Sequence, residues 1–294
     1  FAPCQGLRRW PTIGGVIWIG GVHRQMAKWL ISIAVRPCIS GIMHSMAHIT
    51  TLTLNPSVDV LTTTAQVMDT HKLRCTAPEY HPGGGGINVA RVVHRLGGSV
   101  QALWLGGGGT GDQLSDMLDA EAVPHQCISS AHATRMGFSV HETQSGLDFR
   151  FVMPGPTADP DALSQVLQTL KSTALDSRYW VASGSLPPDA PQDFYADIAR
   201  LAHAQHKKLV LDASGPGLDV PVRSKIGAGD TFVGAFVSTL DQMHPDTCHS
   251  TLCQALRHAM AASAAALASL GTALCQAPDV ARLLESVQVI SLKD

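Results

Sequence analysis

The sequence has little charge. Only 15% of its 294 residues are charged, and 21 basic against 23 acidic residues leave a formal net charge of −2. No block of like charge occurs, so the composition indicates no nucleic-acid partner and no polybasic contact with a membrane. The hydrophobic fraction of 45% excludes an intrinsically disordered chain and indicates a globular one.

Paired cysteines and long apolar runs are also missing. The seven cysteines form no Cys-x-x-Cys pair, so neither a zinc knuckle nor a disulfide framework is indicated. Reduced thiols favour a cytoplasmic location. The apolar stretch Ile13–Val22 is shorter than the roughly 20 residues that a membrane-spanning helix needs. We therefore expect no membrane partner.

Residues 1–45 do not share the pattern of the rest. They carry three of the five tryptophans, Trp10, Trp18 and Trp29, without helical or strand periodicity. An ordered pattern begins after Met46. We interpret residues 1–45 as an N-terminal extension and residues 46–294 as the domain; a structured N-terminus is the alternative.

From Met46 onward, predicted strands alternate with predicted helices. Strands are predicted at 49–54, 100–105, 179–182 and 209–212, and helices after Gly86 and at 111–123, 191–206, 227–240, 248–270 and 278–287. This alternation predicts an α/β fold with a parallel sheet covered on both faces. Two stretches, about 58–80 and 132–153, alternate polar and apolar residues instead and predict a small separate β-sheet.

Three glycine-containing motifs are candidates for chemistry. Pro82 to Arg91 contains four consecutive glycines before a predicted helix, where backbone N–H groups can meet an anionic or polyhydroxyl ligand. Gly227 to Thr231 places an Asp beside glycines at a helix start, which suits a general base or an N-cap. Ser183 to Pro188 follows an apolar strand, where open α/β sheets bind ligands, or forms a simple turn. The glycine spacing matches neither a dinucleotide-binding fingerprint nor a Walker A loop.

Together with Asn55-Pro56-Ser57-Val58-Asp59, these motifs resemble in type and order the PfkB (ribokinase-like) family of sugar kinases. The resemblance covers nearly all of 46–294 and implies a ribokinase-like parallel-sheet sandwich with a small β-sheet lid. The segments 72–78 and 149–155 are similar to the minor bacterial 6-phosphofructokinase branch. Fructose-1-phosphate and tagatose-6-phosphate kinases usually carry Lys where this chain has Gly86, which favours fructose 6-phosphate as the substrate.

The resemblance also implies roles for individual residues. Asp230 would be the catalytic base, and the amides of Gly227, Ala228 and Gly229 would form an anion hole for the transferring phosphoryl group. Ser263 would lie near the nucleotide. ATP and Mg²⁺ would be required, with K⁺ a candidate further ion, and a homodimer would form through the lid. The substrate-binding set would be Asp59, Lys72, Gly84, Gly85, Asn88, Arg135 and Ser183, with Arg135, Ser183 and Lys72 at the sugar phosphate.

The chain departs from the family between Asp212 and Gly227. Only fourteen residues lie there, where the family carries roughly fifty more, about two βα units by length. The missing part would hold an Asn-x-x-Glu motif that organises Mg²⁺ and a loop that contacts ATP; this chain has only Asn55 and Asn88, and neither begins such a motif. We therefore expect an incomplete central sheet and weakened nucleotide binding. An active phosphofructokinase, a kinase for tagatose 6-phosphate or fructose 1-phosphate, and a degenerate, non-catalytic sugar-phosphate-binding relic all remain open.

Overall fold

A seven-stranded sheet forms the centre of the fold. The computed structural model describes residues 16–20, 30–32, 48–69, 72–173, 177–212, 227–243, 249–268, 274–285 and 287. The strand order in the sheet is β2-β1-β11-β10-β3-β6-β7, and every neighbouring pair is parallel except β1 and β2. These strands are β1 (Val16–Gly20), β2 (Leu30–Ser32), β3 (His48–Thr53), β6 (Val100–Gly106), β7 (His125–Ser129), β10 (Ser177–Ser183) and β11 (Lys208–Asp212).

Helices cover both faces of this sheet. On one face α1, α2, α5 and α6 pack in an apolar cluster around Ile87, Trp104 and Phe236; on the other, α3 and α4 pack around Val166, Trp180 and Ile198. A third cluster joins α5, α6 and α7. The helices are α1 (Gly85–Arg95), α2 (Gly108–Ala120), α3 (Pro160–Thr173), α4 (Phe194–Ala204), α5 (Ala228–Gln242), α6 (His249–Ala268) and α7 (Ala277–Leu284).

A second, four-stranded sheet is formed mainly by the two stretches expected to form a lid, and we refer to this sheet as the lid. Its order is β5-β4-β8-β9, with β4 (Ser57–Thr64), β5 (Glu79–Gly83), β8 (Arg135–Glu142) and β9 (Asp148–Val152). The alternation seen in the sequence arises because successive strand residues face opposite sides of a sheet. Asp59, Arg135 and Gly137 belong to one side, and Val60, Phe138 and Phe151 to the other. The predicted separate sheet is confirmed.

The sheet gains two strands from the N-terminal segment. β1 pairs in parallel with β11, with Ile19 opposite Asp212, and β2 pairs with β1. Residues 1–45 show no strand alternation in the sequence, so these two strands differ from the expectation. The sequence predicts that the central sheet is incomplete after β11. In the structure β1 lies next to β11. Residues 213–226 lie outside the described residues.

Two further elements were not predicted from the sequence. β7 is short and its burial is mixed, so its pattern is weak. The signal for α3 was present: Leu163, Val166 and Leu170 are buried at helical spacing, and the Asp159 side chain accepts hydrogen bonds from the amides of Asp161 and Ala162. The remaining predicted strands and helices of the described region agree with the structure to within a few residues at their ends.

Candidate functional site

Three polar side chains meet where β10 and β11 end. Ser183 closes β10, Asp212 closes β11 and Asp230 lies in the first turn of α5. The Ser183 hydroxyl lies 3.2 Å from Asp212 Oδ2 and 3.3 Å from Asp230 Oδ1, so its one proton can be donated to either carboxylate. This is the carboxyl edge of a parallel sheet, where such folds bind ligands.

Asn88 connects this cluster to α1. Its Nδ2 donates a hydrogen bond of 3.0 Å to Asp230 Oδ2, although the two residues are 142 positions apart in the sequence. Both carboxylate oxygens of Asp230 therefore have a hydrogen-bonding partner. The structure brings together Asp230, Asn88 and Ser183, three of the residues that the family resemblance implies for the site, and their roles stay predictions. It adds Asp212, which the sequence marks only as a strand end.

The environment of Asp230 favours its protonated form. Burial raises the pKa of Asp230 to about 7, and the charge of Asp212 acts in the same direction, while the hydrogen bonds from Asn88 and Ser183 and the charge of Arg150 oppose it. Burial also raises the pKa of Asp212. A carboxyl group with a pKa near neutrality suits a general base, because it is both available and basic enough to accept a proton.

Gly227 shapes the turn before α5. Its φ of 74° lies in the left-handed region, and a Cβ there would collide with the Leu274 side chain. The Thr231 hydroxyl and amide both donate to the Gly227 carbonyl, at 2.6 and 2.8 Å, and close the first turn. Gly229 is exposed, with open space where a Cβ would stand. The first amides of a helix lack intrahelical partners, so this turn can meet an anion; the role of Gly227, Ala228 and Gly229 stays a prediction.

The glycines before α1 allow this helix to pack closely on the sheet, as well as allowing a ligand to approach its backbone. Gly84 has a φ of 115°, and a Cβ at Gly85 would lie 2.8 Å from the Ser183 carbonyl carbon and 2.9 Å from the Gly184 nitrogen. A Cβ at Gly86 would lie 2.5 Å from Thr53 Oγ1. The N-terminus of α1 thus rests directly on the ends of β3 and β10. Because Gly86 has this packing reason, its identity says less about the substrate than the sequence alone indicated.

Asp59 and Arg135 lie on the same side of the lid. Asp59 Oδ1 accepts a 2.8 Å hydrogen bond from Ser57, and Gly83 and Gly137 leave room for the carboxylate. Arg135 is held by the turn at Asn55: its Nε donates to Asn55 Oδ1 at 3.0 Å, and its Nη2 donates to the Asn55 carbonyl at 3.2 Å. Asn55 begins the motif at 55–59, but its contact with Arg135, 80 residues away, has no local trace in the sequence.

Two predicted site residues stand apart from this cluster. Lys72 is exposed in the lid segment between β4 and β5. Ser263 is half-buried on α6, beside the alanines that pack in the third apolar cluster. The structure gives neither side chain a contact with Asp230, Asn88 or Ser183, and their roles stay predictions. Among the described residues, no three His, Cys, Asp or Glu side chains are grouped to hold a metal ion, and no helix is long and apolar enough to cross a membrane.

Residues 52–225 match the family described as pfkB family carbohydrate kinases. The ATP-dependent 6-phosphofructokinase isozyme 2 of Mycobacterium tuberculosis is 45% identical over 171 residues, 58% of this chain and 50% of that protein. The Escherichia coli isozyme 2 is 40% identical over 173 residues, 59% of this chain and 56% of that protein. A tagatose-6-phosphate kinase of Staphylococcus epidermidis is 32% identical over 180 residues, 60% of this chain and 57% of that protein. The chain thus spans about half the length of the curated relatives it matches.

Solved structures are similar over a longer stretch. Phosphofructokinase-2 from Escherichia coli, in complex with substrates and products, superposes with a TM-score of 0.71 at 29% identity, covering 82% of this chain and 99% of that one. Other structures of that protein contain potassium or show a tetrameric inhibited form. The similarity includes a mixed α/β fold with a parallel central sheet and a second small sheet.

Proposed function

The chain belongs to the pfkB family of carbohydrate kinases, and we propose on that basis that it transfers the γ-phosphoryl group of ATP to fructose 6-phosphate, giving fructose 1,6-bisphosphate. The observation that carries the proposal is the cluster of Asp230, Asn88 and Ser183 at the carboxyl edge of the sheet. Relatives that are 40–45% identical are phosphofructokinases by name, whereas the tagatose-6-phosphate kinase is more distant.

In the proposed reaction Asp230 accepts the proton of the attacking sugar hydroxyl. Its oxygens are oriented by Asn88 and Ser183, and its pKa of about 7 places proton acceptance near neutral pH. The hydroxyl oxygen attacks the γ-phosphorus, the bond to the β-phosphate oxygen breaks, and ADP leaves. The amides at Gly227, Ala228 and Gly229 would stabilise the negative charge of the transferring group.

The lid and the glycine run would hold the sugar phosphate. In this proposal Asp59, Gly84, Gly85 and Asn88 would face its hydroxyl groups. Arg135 is half-buried, and its hydrogen bonds go to neutral acceptors in Asn55 and Met153. A guanidinium without a bidentate carboxylate partner can still pair with a phosphate, although the charge of Asp59 lies near enough to interact with it. Lys72 would approach from a partner subunit. Ser183 is proposed to contact the sugar phosphate. To donate its hydroxyl proton there, it would have to give up its hydrogen bond to Asp212 or Asp230.

The described residues fit ATP and Mg²⁺ less well than they fit a sugar phosphate. ATP supplies the phosphoryl group, and Mg²⁺ would neutralise its charge. Carboxylate oxygens are the ligands that Mg²⁺ prefers, but the described residues offer only Asp212 and Asp230 near each other, and the sequence lacks the expected Asn-x-x-Glu. We therefore assign no metal ligand and no step to the ion. Ser263 remains the proposed nucleotide contact, and K⁺ is proposed from the resemblance and from the potassium-containing neighbour.

This shortfall supports a second candidate function. A chain that keeps the sugar site and has lost much of the nucleotide site would bind fructose 6-phosphate without phosphorylating it. Only fourteen residues separate Asp212 from Gly227. The non-catalytic relic is therefore the alternative that the experiment must separate from the kinase.

We also propose a homodimer and a cytoplasmic location. Tyr80 and Phe151 are exposed apolar residues on the lid, and we propose that the lids of two copies pack together there. Cys75, Cys127 and Cys275 are free thiols in the part of the chain that the structure describes. This agrees with the proposed cytoplasmic location.

The test is ADP release by the purified chain with fructose 6-phosphate and MgATP, with Asp230→Asn as the control. Loss of a general base costs about 10²–10⁴-fold. Release that depends on fructose 6-phosphate and falls by that factor in the control supports the kinase. Fructose 6-phosphate binding without ADP release, measured by calorimetry, supports the relic. Release in the absence of fructose 6-phosphate, or unaffected by Asp230→Asn, contradicts the proposed mechanism.

A further inference from the structure

A buried arginine lies behind the proposed catalytic base. Arg91 on α1 is 1% exposed. Its Nη1 donates to Asn88 Oδ1 at 3.3 Å and to the Pro82 carbonyl at 3.1 Å. Asn88 in turn donates through Nδ2 to Asp230 Oδ2 at 3.0 Å. A continuous line of hydrogen bonds therefore runs from Arg91 through a single amide to Asp230.

The chemistry of the groups allows only one orientation of that amide. A guanidinium has donors and no acceptor, and the ionised form of Asp230, which is the form that acts as a base, has acceptors and no donor. The Asn88 oxygen must therefore face Arg91 and its nitrogen must face Asp230. The flipped amide would set N–H against N–H on one side and oxygen against carboxylate on the other, so the two neighbours exclude it.

We propose that Arg91 is a positioning residue, which fixes the Asn88 amide so that it donates to the carboxylate of Asp230. This inference rests on the proposed role of Asp230 as the base. Arg91 would touch neither the sugar nor the phosphoryl group. Its effect would reach the reaction only through Asn88.

Glu121 makes the buried arginine possible. A buried charge is costly unless it is paired and hydrogen-bonded. Arg91 donates to Glu121 through Nε at 2.8 Å and through Nη2 at 2.5 Å, and Arg95 donates to the same carboxylate at 3.2 Å. Burial opposes ionisation of Glu121, but the hydrogen bonds and charges of these two arginines outweigh it and hold its pKa below the usual value. Arg91 is thus anchored on one side and orients Asn88 on the other.

The line of hydrogen bonds predicts a measurable effect on Asp230. The charged groups that influence Asp230 are Asp212, which favours the protonated form, and Arg150, which favours the ionised form. The hydrogen bond from Asn88 also favours the ionised form. If Asn88 loses its orientation, Asp230 loses that donor, and its pKa rises above about 7.

The charge-matched variant Arg91→Lys tests this. A lysine keeps the positive charge but cannot serve Glu121, Pro82 and Asn88 with a planar fork. The pKa of Asp230 is measured by carbon-13 NMR of the full chain with labelled aspartate, assigned by Asp230→Asn. Arg91→Lys should raise this pKa by about one unit, the size expected for loss of a charge-assisted hydrogen bond. Arg95→Lys is the matched control, because Arg95 shares Glu121 but no hydrogen bond joins it to Asn88; it should leave the pKa within about 0.3 units.

A second background shows whether the effect passes through Asn88. In Asn88→Ala, Arg91→Lys should no longer shift the Asp230 pKa. An equal shift in that background, or no shift in the native one, overturns the proposal. If Arg91→Lys does not fold, Glu121→Gln replaces it: Arg91 stays but loses an ionic anchor, and the pKa should rise by a smaller amount; no rise overturns the proposal. These readouts need no turnover, so they stay informative even if the chain releases no ADP.

Discussion

At the residue scale, Asp230 couples proton binding to folding. Its pKa of about 7 in the folded chain exceeds the value of about 4 expected in the unfolded chain. The folded state therefore binds this proton more tightly, and the stability gained is complete below about pH 4 and is lost as the pH rises through 7. Burial is the main cause of the raised pKa. The ionised carboxylate is therefore unfavourable in the folded chain, and the protein is less stable at the pH where Asp230 would serve as a base.

We expect the free energy of unfolding to respond to this group. Between pH 4 and 7, the stability of the native chain should fall relative to that of Asp230→Asn, by roughly 4 kcal/mol at most, since each pKa unit corresponds to about 1.4 kcal/mol. Urea unfolding of both proteins across this range measures the difference. Parallel pH profiles for the two proteins would show that Asp230 is not perturbed.

Gly85 is the second position at which a single substitution should affect both stability and binding. A methyl group there would meet the Ser183 backbone and the Gly184 nitrogen, which cannot move without displacing β10. Gly85→Ala should therefore cost about 1–3 kcal/mol of stability and weaken fructose 6-phosphate binding.

Gly109→Ala is the matched control for Gly85→Ala. Gly109 also lies near the start of a helix, α2, but it has open space where a Cβ would stand. This substitution should leave stability unchanged or raise it by up to about 1 kcal/mol, because alanine favours helices. Thermal unfolding and calorimetry compare the two variants. Equal behaviour of both would argue against close packing at Gly85.

At the element scale, β1 covers the edge of the central sheet at β11. It pairs with β11 at four register positions, from Val16 opposite Leu209 to Ile19 opposite Asp212. An open parallel edge exposes unpaired backbone groups. The N-terminal segment, interpreted from sequence as an extension outside the family, thus contributes to the same sheet as the site.

Deleting residues 1–45 should destabilise the protein. Loss of several backbone hydrogen bonds, each worth about 0.5–1.5 kcal/mol, predicts a loss of roughly 2–4 kcal/mol and a fall in Tm of about 5–10 °C. Deleting only residues 1–15, which keeps β1 and β2, is the control. Calorimetric scans of the three proteins make the comparison. Equal Tm values for both deletions would show that β1 adds nothing to stability.

At the scale of the whole molecule, the lid presents an apolar row. Tyr80, Val60, Phe138 and Phe151 lie opposite one another across the four strands. Val60 is buried, but Tyr80 and Phe151 are 45% and 49% exposed, and the rings of Phe138 and Phe151 lie 6.1 Å apart. Exposed aromatic residues on an edge strand favour contact with another protein surface.

Phe151→Asp should therefore shift the proposed dimer toward monomer. An unpaired charge in an apolar contact costs several kcal/mol, so the dissociation constant should rise at least about 100-fold. Met260→Asp is the control, because Met260 is 43% exposed but lies on α6, away from the lid. Sedimentation velocity over a concentration series measures both. A monomeric native chain, or dissociation by both variants alike, would contradict a lid interface.

Much of the architecture followed from local pattern. Apolar spacing in 87–96, the glycine stop after it and the runs at 100–105 and 209–212 predicted elements that the structure contains, because burial on one helix face or both sheet faces leaves a direct trace in sequence. The strands β1, β2 and β7 were not predicted. β1 and β2 lie in a segment without clear alternation, and their place depends on the open edge of β11, which no local pattern reveals.

For the site, the sequence by itself determined which residue types were available: an Asp after glycines, an Asn after a glycine run and a Ser at a strand end. Tertiary structure decided which of them meet. Asn88 and Asp230 are 142 residues apart, yet one hydrogen bond joins them, and Asp212 joins the cluster only because β10 and β11 are neighbours. The hydrogen bond from Arg135 to Asn55 arises in the same way, because residues 80 positions apart in the sequence lie next to each other in the fold.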